Sequence, residues 1–264
     1  METIEPKPTL PYYTLLELLG DSLNSSIYKA VSKENPDNFF IIKILKRPIN
    51  NENQRRYLVQ KVERLKIIHD PHVIIPQSFE HFSDTQFIVR HYFPGKPLNT
   101  FLAEQQKTSL TDFFNIASEL TLAINAIHEA GIVHGGIKPN NILIQEGTHT
   151  IRIVDFLNPV DIQEISHFIY DQRFVEGTLA YTSPEQTGRI NHRVEFSTDI
   201  YSLGIIFYQL LTGSLPFTST DPLELIHSHL AQEASPVNQV NPQVPKMLSK
   251  IIAKMCLKEP EKRY

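Results

Sequence analysis

The stretch IVHGGIKPNNILI, residues 132–144, places a histidine, a lysine and an asparagine just ahead of an apolar, strand-like run. The next such run, IRIV, is followed directly by the carboxylate of Asp155, and an earlier one, FFIIK, is closed by Lys43. Ammonium, carboxamide and carboxylate groups can position and neutralise charged phosphates, which is most of what phosphoryl transfer asks of a protein. In the middle of the first stretch, however, Gly135 and Gly136 carry no side chain.

The first third of the chain predicts a small sheet with one helix. Residues 1–11 contain three prolines and are typical of an extended lead-in. Residues 12–93 then contain the strand-like runs YYTLLELLG, SSIYKAV, FFIIKIL, PHVIIPQSF and TQFIVRHYF. Residues 50–69 change to helical spacing. The positions predicted to lie on the buried face of that helix are Tyr57, Val62, Leu65 and Ile68.

Helices dominate residues 94–264. The segment SLTDFFNIASELTLAINAIHEAG predicts a helix with Ser109 at its N-terminal cap and Gly131 at its end. The segment TDIYSLGIIFYQLLTG is apolar nearly all round, which predicts a buried central helix. Two further helices are predicted, one capped by Asp221 and one over PKMLSKIIAKMCL. A sheet followed by helices predicts an α+β protein with two lobes.

Composition and charge exclude several classes of function. The chain has 264 residues, of which 41% are apolar and 20% charged, and its net charge of −4 does not indicate a nucleic-acid or anionic-membrane surface. No apolar stretch is long enough to cross a bilayer, and the single cysteine, Cys256, fits a reducing compartment. We therefore predict a cytoplasmic protein. The histidines are scattered, and the pair His227 and His229 is two apart on a predicted helix, so they predict no metal site.

Taken in order, these motifs resemble those of a protein kinase domain. Lys43 ends its strand as the lysine of V-A-I-K does, HGGIKPNN stands at the catalytic loop H-R-D-L-K-x-x-N, and IVDFL stands at D-F-G. GTLAYTSPEQ resembles the substrate-docking loop followed by A-P-E, with Glu185 as its glutamate. In the family, the position of Asp199 braces the catalytic loop and that of Arg263 pairs with the A-P-E glutamate. The resemblance covers nearly the whole chain.

The sequence from EGTLAYTSPEQ to DPLELIHSHLA resembles one branch of the protein kinase family in particular. Its members are the kinase-like domains at the N-terminus of large bacterial multidomain proteins with ATPase and sensor histidine-kinase modules. This resemblance implies a piece of a longer chain, so that downstream modules or another protein would be the partner. It also implies that residues 94–264 lack the last helix of the fold.

The resemblance assigns roles to individual residues, with ATP and Mg²⁺ as the implied cofactors. Lys138 would lie near the γ-phosphate as a catalytic residue, and its presence marks a Ser/Thr-type loop. The positions that would bind nucleotide are Ile27, Ile41, Lys43 and Leu143. The positions that would bind metal are Asn141 and Asp155. Each residue also has a purely structural explanation: a strand lysine, a turn asparagine, a surface aspartate or an ordinary core side chain.

Several departures from the family pattern argue against full catalysis. Gly136 stands where the catalytic aspartate should be, and loss of a general acid or base costs roughly 10²- to 10⁴-fold in rate. Gly135 removes the arginine that reads a phosphate on the activation loop. In the glycine-rich loop, GDSLNSS has Ser22 and Ser25 at two glycine positions, which predicts a looser phosphate cradle. Leu157 replaces the glycine of D-F-G.

The predicted nucleotide pocket is altered as well. Ile41 stands where a small alanine roofs the adenine, and Arg90 aligns with the gatekeeper, so both narrow the site. The helix glutamate that pairs with Lys43 should lie at Lys61, which is a like charge. Glu63 is two residues further along the helix and reaches that position only if the alignment contains a short gap.

These observations favour a pseudokinase: a kinase-fold domain that regulates or interacts through its shape, with or without bound ATP. The alternative is a low-activity Ser/Thr protein kinase, because Lys43, Lys138, Asn141 and Asp155 are all present. A small-molecule kinase is disfavoured, since such enzymes lack the S-P-E segment. An engineered glycine is a further alternative, because H-G-D would be an acceptable start to the loop.

Overall fold

The chain is described here from a computed structural model. The described residues are 8–22, 24–47, 49–104, 107–156 and 178–264. They fall into two units, of which the first is Met1–Ile68 with Ile74–Pro94, and the second is His69–Val73 with Gly95–Tyr264. Most of the predicted lead-in, residues 1–11, lies outside the described residues.

The first unit contains a five-stranded antiparallel sheet in the order β1-β2-β3-β5-β4. The strands are β1 Tyr13–Asp21, β2 Ser25–Ser32, β3 Phe39–Leu45, β4 Pro76–Phe82 and β5 Thr85–His91. Side chains alternate between the two faces of a strand, and one face forms a buried apolar cluster. The central members of that cluster are Ala30, Ile42, Ile44, Phe87 and Val89. The predicted small sheet is confirmed.

The single helix of this unit is α1, Glu52–Leu65. It begins at Asn51, whose side-chain oxygen accepts hydrogen bonds from the backbone N–H groups of Asn53 and Gln54. Its buried residues are Leu58, Val62 and Leu65. The prediction that Tyr57 lies on the buried face is wrong, because the buried positions repeat every three to four residues from Leu58 and Tyr57 lies about 100° away.

The second unit is mainly helical. Its elements are β6 Lys96–Pro97, α2 Leu98–Glu104, α3 Leu110–Glu129, β7 Ile142–Ile144, β8 Ile151–Ile153, α4 Phe196–Thr212, α5 Pro222–Ala231, α6 Val237–Val240 and α7 Lys246–Met255. β6, β7 and β8 form a small antiparallel sheet. The α+β prediction is confirmed. Among the helices of the described residues, none combines the length and apolar character that crossing a membrane requires.

The predicted helix ends of this unit are confirmed. Ser109 caps α3 by accepting a hydrogen bond from the backbone N–H of Asp112 at 3.1 Å, and Gly131 follows the helix with a φ of +69°. Asp221 caps α5 through the N–H of Leu223 at 2.8 Å. α4 is buried along nearly its whole length, as its uniformly apolar sequence predicts.

Residues His69–Val73 leave the first unit and join the second. The backbone N–H of Ile153 in β8 donates to the carbonyl of His72 at 2.8 Å, and Val73 pairs with Ile153 in a parallel bridge. The His72 ring lies 2.8 Å from an Asp70 carboxylate oxygen and 3.6 Å from Glu119 of α3. The chain therefore passes between the units three times.

Candidate functional site

The loop that precedes β7 is held by one buried carboxylate. Asp199, in the first turn of α4, accepts hydrogen bonds from the backbone N–H groups of His134 at 2.9 Å and Gly135 at 2.8 Å. It also lies 2.9 Å from Nε2 of His128 in α3. Because Asp199 is fully buried, these donors compensate for the cost of removing its charge from water. The predicted bracing role of Asp199 is confirmed, whereas the contact from His128 was not predicted.

The hydrogen bonds of His134 determine which of its ring nitrogens carries the proton. The backbone N–H of Gly136 donates to Nδ1 at 3.1 Å, so Nδ1 must be the acceptor. Nε2 therefore carries the proton of the neutral ring and donates to the carbonyl of Val154 at 3.1 Å. The ring packs against buried Phe156, with ring centroids 4.6 Å apart. This residue is therefore a buried structural anchor for the loop.

Asn141 closes the loop on itself. Its Nδ2 donates to the carbonyl of Gly136 at 2.9 Å, and its backbone carbonyl accepts from the N–H of Val154. With the amide nitrogen facing Gly136, the amide oxygen of this buried side chain points to the opposite side of the amide group. Lys138 lies in the same loop, and its Nζ donates to Oγ1 of Thr178 at 2.9 Å. The Thr178 contact was not predicted.

At Gly136 the loop supplies only its backbone. Its N–H donates to the ring of His134, and its carbonyl accepts from the side chain of Asn141. Both hydrogen-bonding groups of Gly136 therefore support the loop itself. Between His134 and Asn141 the sequence contains no carboxylate. The loop therefore keeps its supporting contacts and lacks a side chain that could accept a proton from a substrate hydroxyl.

Asp155 has an unusual backbone conformation. Its φ is +69°, which is uncommon for a residue other than glycine and is often found at functional sites. A carboxylate from Asp155 and an amide oxygen from Asn141 are ligands of the kind that Mg²⁺ prefers, and this donor set fits the metal implied by the resemblance. Leu143 is buried in β7. Leu157, which replaces the glycine of D-F-G, lies outside the described residues.

The predicted pairing of Glu185 with Arg263 is confirmed. The guanidinium donates to both carboxylate oxygens, at 2.7 and 3.0 Å, and Thr198 adds a third hydrogen bond at 2.7 Å. Both side chains are fully buried. Burial by itself would raise the pKa of Glu185, but the hydrogen bonds from Arg263 and Thr198 outweigh it and hold this pKa below its ordinary value.

A second link between this region and the loop was missed in the sequence. Gln186 accepts from the N–H and hydroxyl of Ser183, both at 3.1 Å, and its Nε2 donates to the carbonyl of Gly135 at 2.7 Å. Gly135 itself has a φ of +66°, a region that favours glycine. The S-P-E-Q spacing is that of a capping box and could have revealed the first contact. No local pattern could have revealed the second.

The predicted nucleotide-binding residues of the first unit share one face of its sheet. In the strand register Ile27 lies opposite Lys43, and Ile41 lies opposite Arg90. All four alternate with the residues of the apolar cluster, so they lie on the other face of the sheet. Ile41 is buried and the other three are half-buried. Within this unit the structure therefore brings Ile27, Ile41 and Lys43 together.

The degraded glycine-rich loop is closed by its own serines. The Ser22 hydroxyl donates to the carbonyl of Ser25 at 2.9 Å and accepts from the Ser25 N–H at 3.1 Å. Asp21 accepts from the Ser26 hydroxyl and pairs with Lys46, both at 2.7 Å. The groups at the former glycine positions are thus engaged with one another, which the sequence pattern did not indicate.

The two candidates for the helix glutamate are now distinguished. Glu63 is exposed and pairs with Lys66 at 2.6 Å, on the solvent side of α1. Lys61 is half-buried and lies next to buried Val62. The gap that would bring Glu63 into the helix glutamate position is therefore not supported by the structure.

These elements define a protein kinase fold, with a five-stranded N-terminal sheet bearing one helix and a helical C-terminal lobe. A family model described as "Protein kinase domain" matches residues 13–264, and the chain belongs to this family. The chain is 30% identical over 255 residues to a probable serine/threonine-protein kinase of Clostridium perfringens, covering 96% of this chain and 36% of that protein. It is related to bacterial Ser/Thr kinases.

Two further comparisons extend this assignment. The chain is 31% identical over 221 residues to hybrid signal transduction histidine kinase G of Dictyostelium discoideum, covering 59% of this chain and 6% of that protein. The solved structure of Rad53 1–466 in complex with AMP-PNP matches with a TM-score of 0.73 and 21% identity, covering 95% of this chain and 62% of that one. This second likeness concerns the fold. The chain spans less than half the length of the curated relatives it matches.

Proposed function

We propose that the chain is a pseudokinase: a Ser/Thr kinase-like domain that binds ATP, does not transfer phosphate to a protein substrate above background and acts as a regulatory or interaction module. One observation carries this proposal. The loop at residues 134–141 keeps its supporting contacts to Asp199 and Asn141 but has Gly136, with both backbone groups engaged, where a carboxylate is needed. A domain built this way retains the shape of a kinase without its proton acceptor.

Nucleotide binding is proposed from the residues that remain. Lys43 would hold the α- and β-phosphates, Ile27, Ile41 and Leu143 would contact the adenine, and Lys138 would lie near the γ-phosphate. Asn141 and Asp155 would hold Mg²⁺, which when bound would neutralise charge on the phosphates. The donor groups fit these roles. The carboxylate of Asp155 and the amide oxygen of Asn141 belong to two segments of the second unit that are joined by a hydrogen bond from the N–H of Val154 to the carbonyl of Asn141.

We also propose that the domain works within bacterial signalling, through a protein partner or through further modules of a longer chain. The relatives support this, because each is longer than the matched part and one is named a hybrid signal transduction histidine kinase. Neither a nucleic acid nor a membrane is proposed as partner.

The test is a comparison of the chain with its Gly136→Asp variant. In the parent, MgATP should raise the stability by RT ln(1 + [L]/Kd), about 2.7 kcal/mol at a hundredfold excess over Kd, with no transfer to a protein substrate above background. In Gly136→Asp, transfer should appear, with a gain on the order of 10²- to 10⁴-fold. Gly147→Asp, which adds the same carboxylate in the exposed turn after β7, should resemble the parent.

The second candidate is a low-activity Ser/Thr protein kinase. The contacts that support it are those of Lys138 with Thr178 and of Asn141 with Gly136, because they keep the loop in a defined arrangement. Under this alternative, the parent transfers phosphate at a low rate and Asp155→Ala abolishes the transfer. Such a result would replace the proposed pseudokinase by a weak enzyme.

A further inference from the structure

Lys258 follows α7 and lies among aromatic side chains that the proposed function does not use. Its Nζ lies 4.4 Å from the ring centroid of Phe217 and 5.8 Å from that of Tyr201 in α4. It donates one hydrogen bond, to the backbone carbonyl of Ser228 in α5 at 3.2 Å. The His229 ring packs against the same two rings, with centroids 5.2 Å from Phe217 and 5.8 Å from Tyr201. We call the side chains of Tyr201, Phe217, His229 and Lys258 the amine cluster.

The environment of Lys258 favours the neutral form of its amine. The side chain is half-buried, and no carboxylate of the described residues forms an ion pair with it. Burial lowers its pKa to about 8, an effect that the charge of Arg263 reinforces and that Cys256 and Glu233 oppose. At pH 7 roughly a tenth of such an amine is neutral, compared with less than about 0.1% of an ordinary lysine. A neutral lysine in an apolar environment can act as a nucleophile.

The amine cluster also contains a buried donor without an acceptor. His229 is buried, and its Nδ1 lies 2.9 Å from the Tyr201 hydroxyl, whereas its Nε2 has no hydrogen-bond partner among the described residues. A hydroxyl that donates to Nδ1 leaves only the Nε2 proton unsatisfied. The reverse arrangement would leave both the phenol O–H and the Nε2 lone pair unsatisfied, which costs more. Nε2 therefore carries the proton, and the cluster lacks an oxygen to accept it.

We propose that Lys258 is a site of acylation by a small activated acyl group, carried by an acyl phosphate or an acyl thioester. The neutral amine attacks the acyl carbonyl carbon, so that a C–N bond forms and the bond from that carbon to the phosphate or the sulfur breaks. The phosphate or the thiolate leaves with the amine proton. The product is an uncharged amide. Its N–H can replace the ammonium as donor to Ser228, and its carbonyl is an acceptor of the kind that Nε2 of His229 lacks.

The neighbouring nucleophilic groups are less suited to this reaction. Burial raises the pKa of the Cys256 thiol to about 12, so the thiol stays protonated and weakly nucleophilic at neutral pH. Lys262 is exposed, and its hydrogen bond to Glu259 raises its pKa. Lys258 is therefore better suited to acylation than either of these groups.

Peptide mass spectrometry of the chain after incubation with acetyl phosphate or, separately, with acetyl-CoA tests the proposal. Lys262, four residues from Lys258 along the chain, is the internal control. At pH 7 we expect Lys258 to be acetylated at least about tenfold faster than Lys262, because more of its amine is neutral. The rate at Lys258 should level off above pH 8, whereas the rate at Lys262 should continue to rise. In guanidinium chloride the two rates should become similar, because unfolding disperses the cluster.

The outcomes decide the proposal without reference to nucleotide binding. Faster acetylation of Lys258 by either reagent supports it, and the reagent that reacts identifies the acyl source. Equal rates at Lys258 and Lys262 in the folded chain overturn it. A rate at Lys258 that keeps rising to pH 10 also overturns it, and so does a preference that persists in the unfolded chain. None of these results affects the pseudokinase proposal, because the reaction requires neither ATP nor Mg²⁺.

Discussion

Two regions of this molecule differ in how closely their residues follow the protein kinase pattern. The buried support in the helical unit keeps the contacts that the kinase pattern predicts: Asp199 accepts hydrogen bonds from the loop, and Glu185 pairs with Arg263. The positions that would meet the substrate or nucleotide are altered, with Gly136 in the loop and serines in the glycine-rich loop. The support consists of buried charges whose loss would destabilise the fold, whereas the altered positions need no buried partner. Stability and chemistry are thus carried by separate residues, and the following experiments test that separation.

The largest effect is expected at Arg263. Arg263→Met leaves the carboxylate of Glu185 buried without its bidentate partner, and breaking such a pair typically costs about 3–5 kcal/mol. Urea unfolding measures the change in free energy. Lys262→Met, which removes the exposed neighbouring lysine, should change stability by less than about 0.5 kcal/mol. Equal effects of the two substitutions would contradict the importance given to the buried pair.

The next effect concerns Asp199. Asp199→Ala removes the acceptor for two backbone N–H groups and for His128, and we expect a loss of about 3 kcal/mol in the free energy of unfolding. Asp221→Ala, which removes an exposed helix cap, should cost only about 1 kcal/mol. If Asp221→Ala lowers the free energy of unfolding as much as Asp199→Ala does, the importance given to the buried carboxylate is contradicted.

A pH dependence is expected from His229. This buried ring lies 2.9 Å from the Tyr201 hydroxyl, and burial, together with the nearby charge of Lys258, lowers its pKa to about 3. Its ordinary pKa is about 6.5, so the unfolded chain binds the proton first. Stability from this group is therefore complete above pH 6.5 and is lost as the pH falls towards 3, by about 2 kcal/mol between pH 7 and pH 5.

Unfolding measured at several pH values tests this dependence. His229→Gln should flatten the fall in stability between pH 7 and pH 5, because the titrating group is gone. His227→Gln replaces an exposed histidine of the same helix and should retain the slope of the parent. An unchanged slope in His229→Gln would show that other groups cause the dependence.

A smaller effect is expected at Gly135. Gly135→Ala places a side chain at a φ of +66°, which costs roughly 1–2 kcal/mol, and its Cβ would meet only Gln186 Nε2 at an ordinary 3.9 Å. Gly147→Ala has a φ of +79° and no neighbour within 4 Å, so it should cost about as much. Circular dichroism during thermal unfolding compares the two. A much larger loss at Gly135 would show that the contact with Gln186 is tighter than its distance indicates.

The smallest effect is expected at Glu63. Because its carboxylate pairs with Lys66 at the surface, Glu63→Ala should change stability by less than about 0.5 kcal/mol and leave the Kd for ATP unchanged. Lys66→Ala is the matched control for the same ion pair. A weaker affinity for ATP in Glu63→Ala alone would return Glu63 to the role of the helix glutamate.

Much of the fold could be predicted because its signals are local. The cap of α3 at Ser109, the cap of α5 at Asp221 and the buried stripe of α3 follow from residues within one or two turns. Tyr57 was misassigned because it lies five positions before Val62, and a spacing of five does not return to the same face of a helix.

The candidate site was predictable only where the family pattern names a pair. Asp199 with the loop and Glu185 with Arg263 are such pairs, and both are confirmed. The contact of Gln186 with the carbonyl of Gly135 spans 51 positions and depends on how two loops meet, which no local pattern records. The closure of the glycine-rich loop by Ser22 and Ser25 depends on side-chain rotamers, so it too required the structure.

The passage of His69–Val73 into the second unit limits how this protein can be divided. A cut after Pro94 would leave His69–Val73 on the N-terminal fragment and deprive β8 of its bridge to Val73, so the N–H of Ile153 would lose the carbonyl of His72. The N-terminal fragment would then contain the whole first unit, whereas the second unit would be divided between the two fragments. Limited proteolysis near Pro94 should consequently yield fragments that remain associated, and the second unit should not fold from residues 95–264 alone.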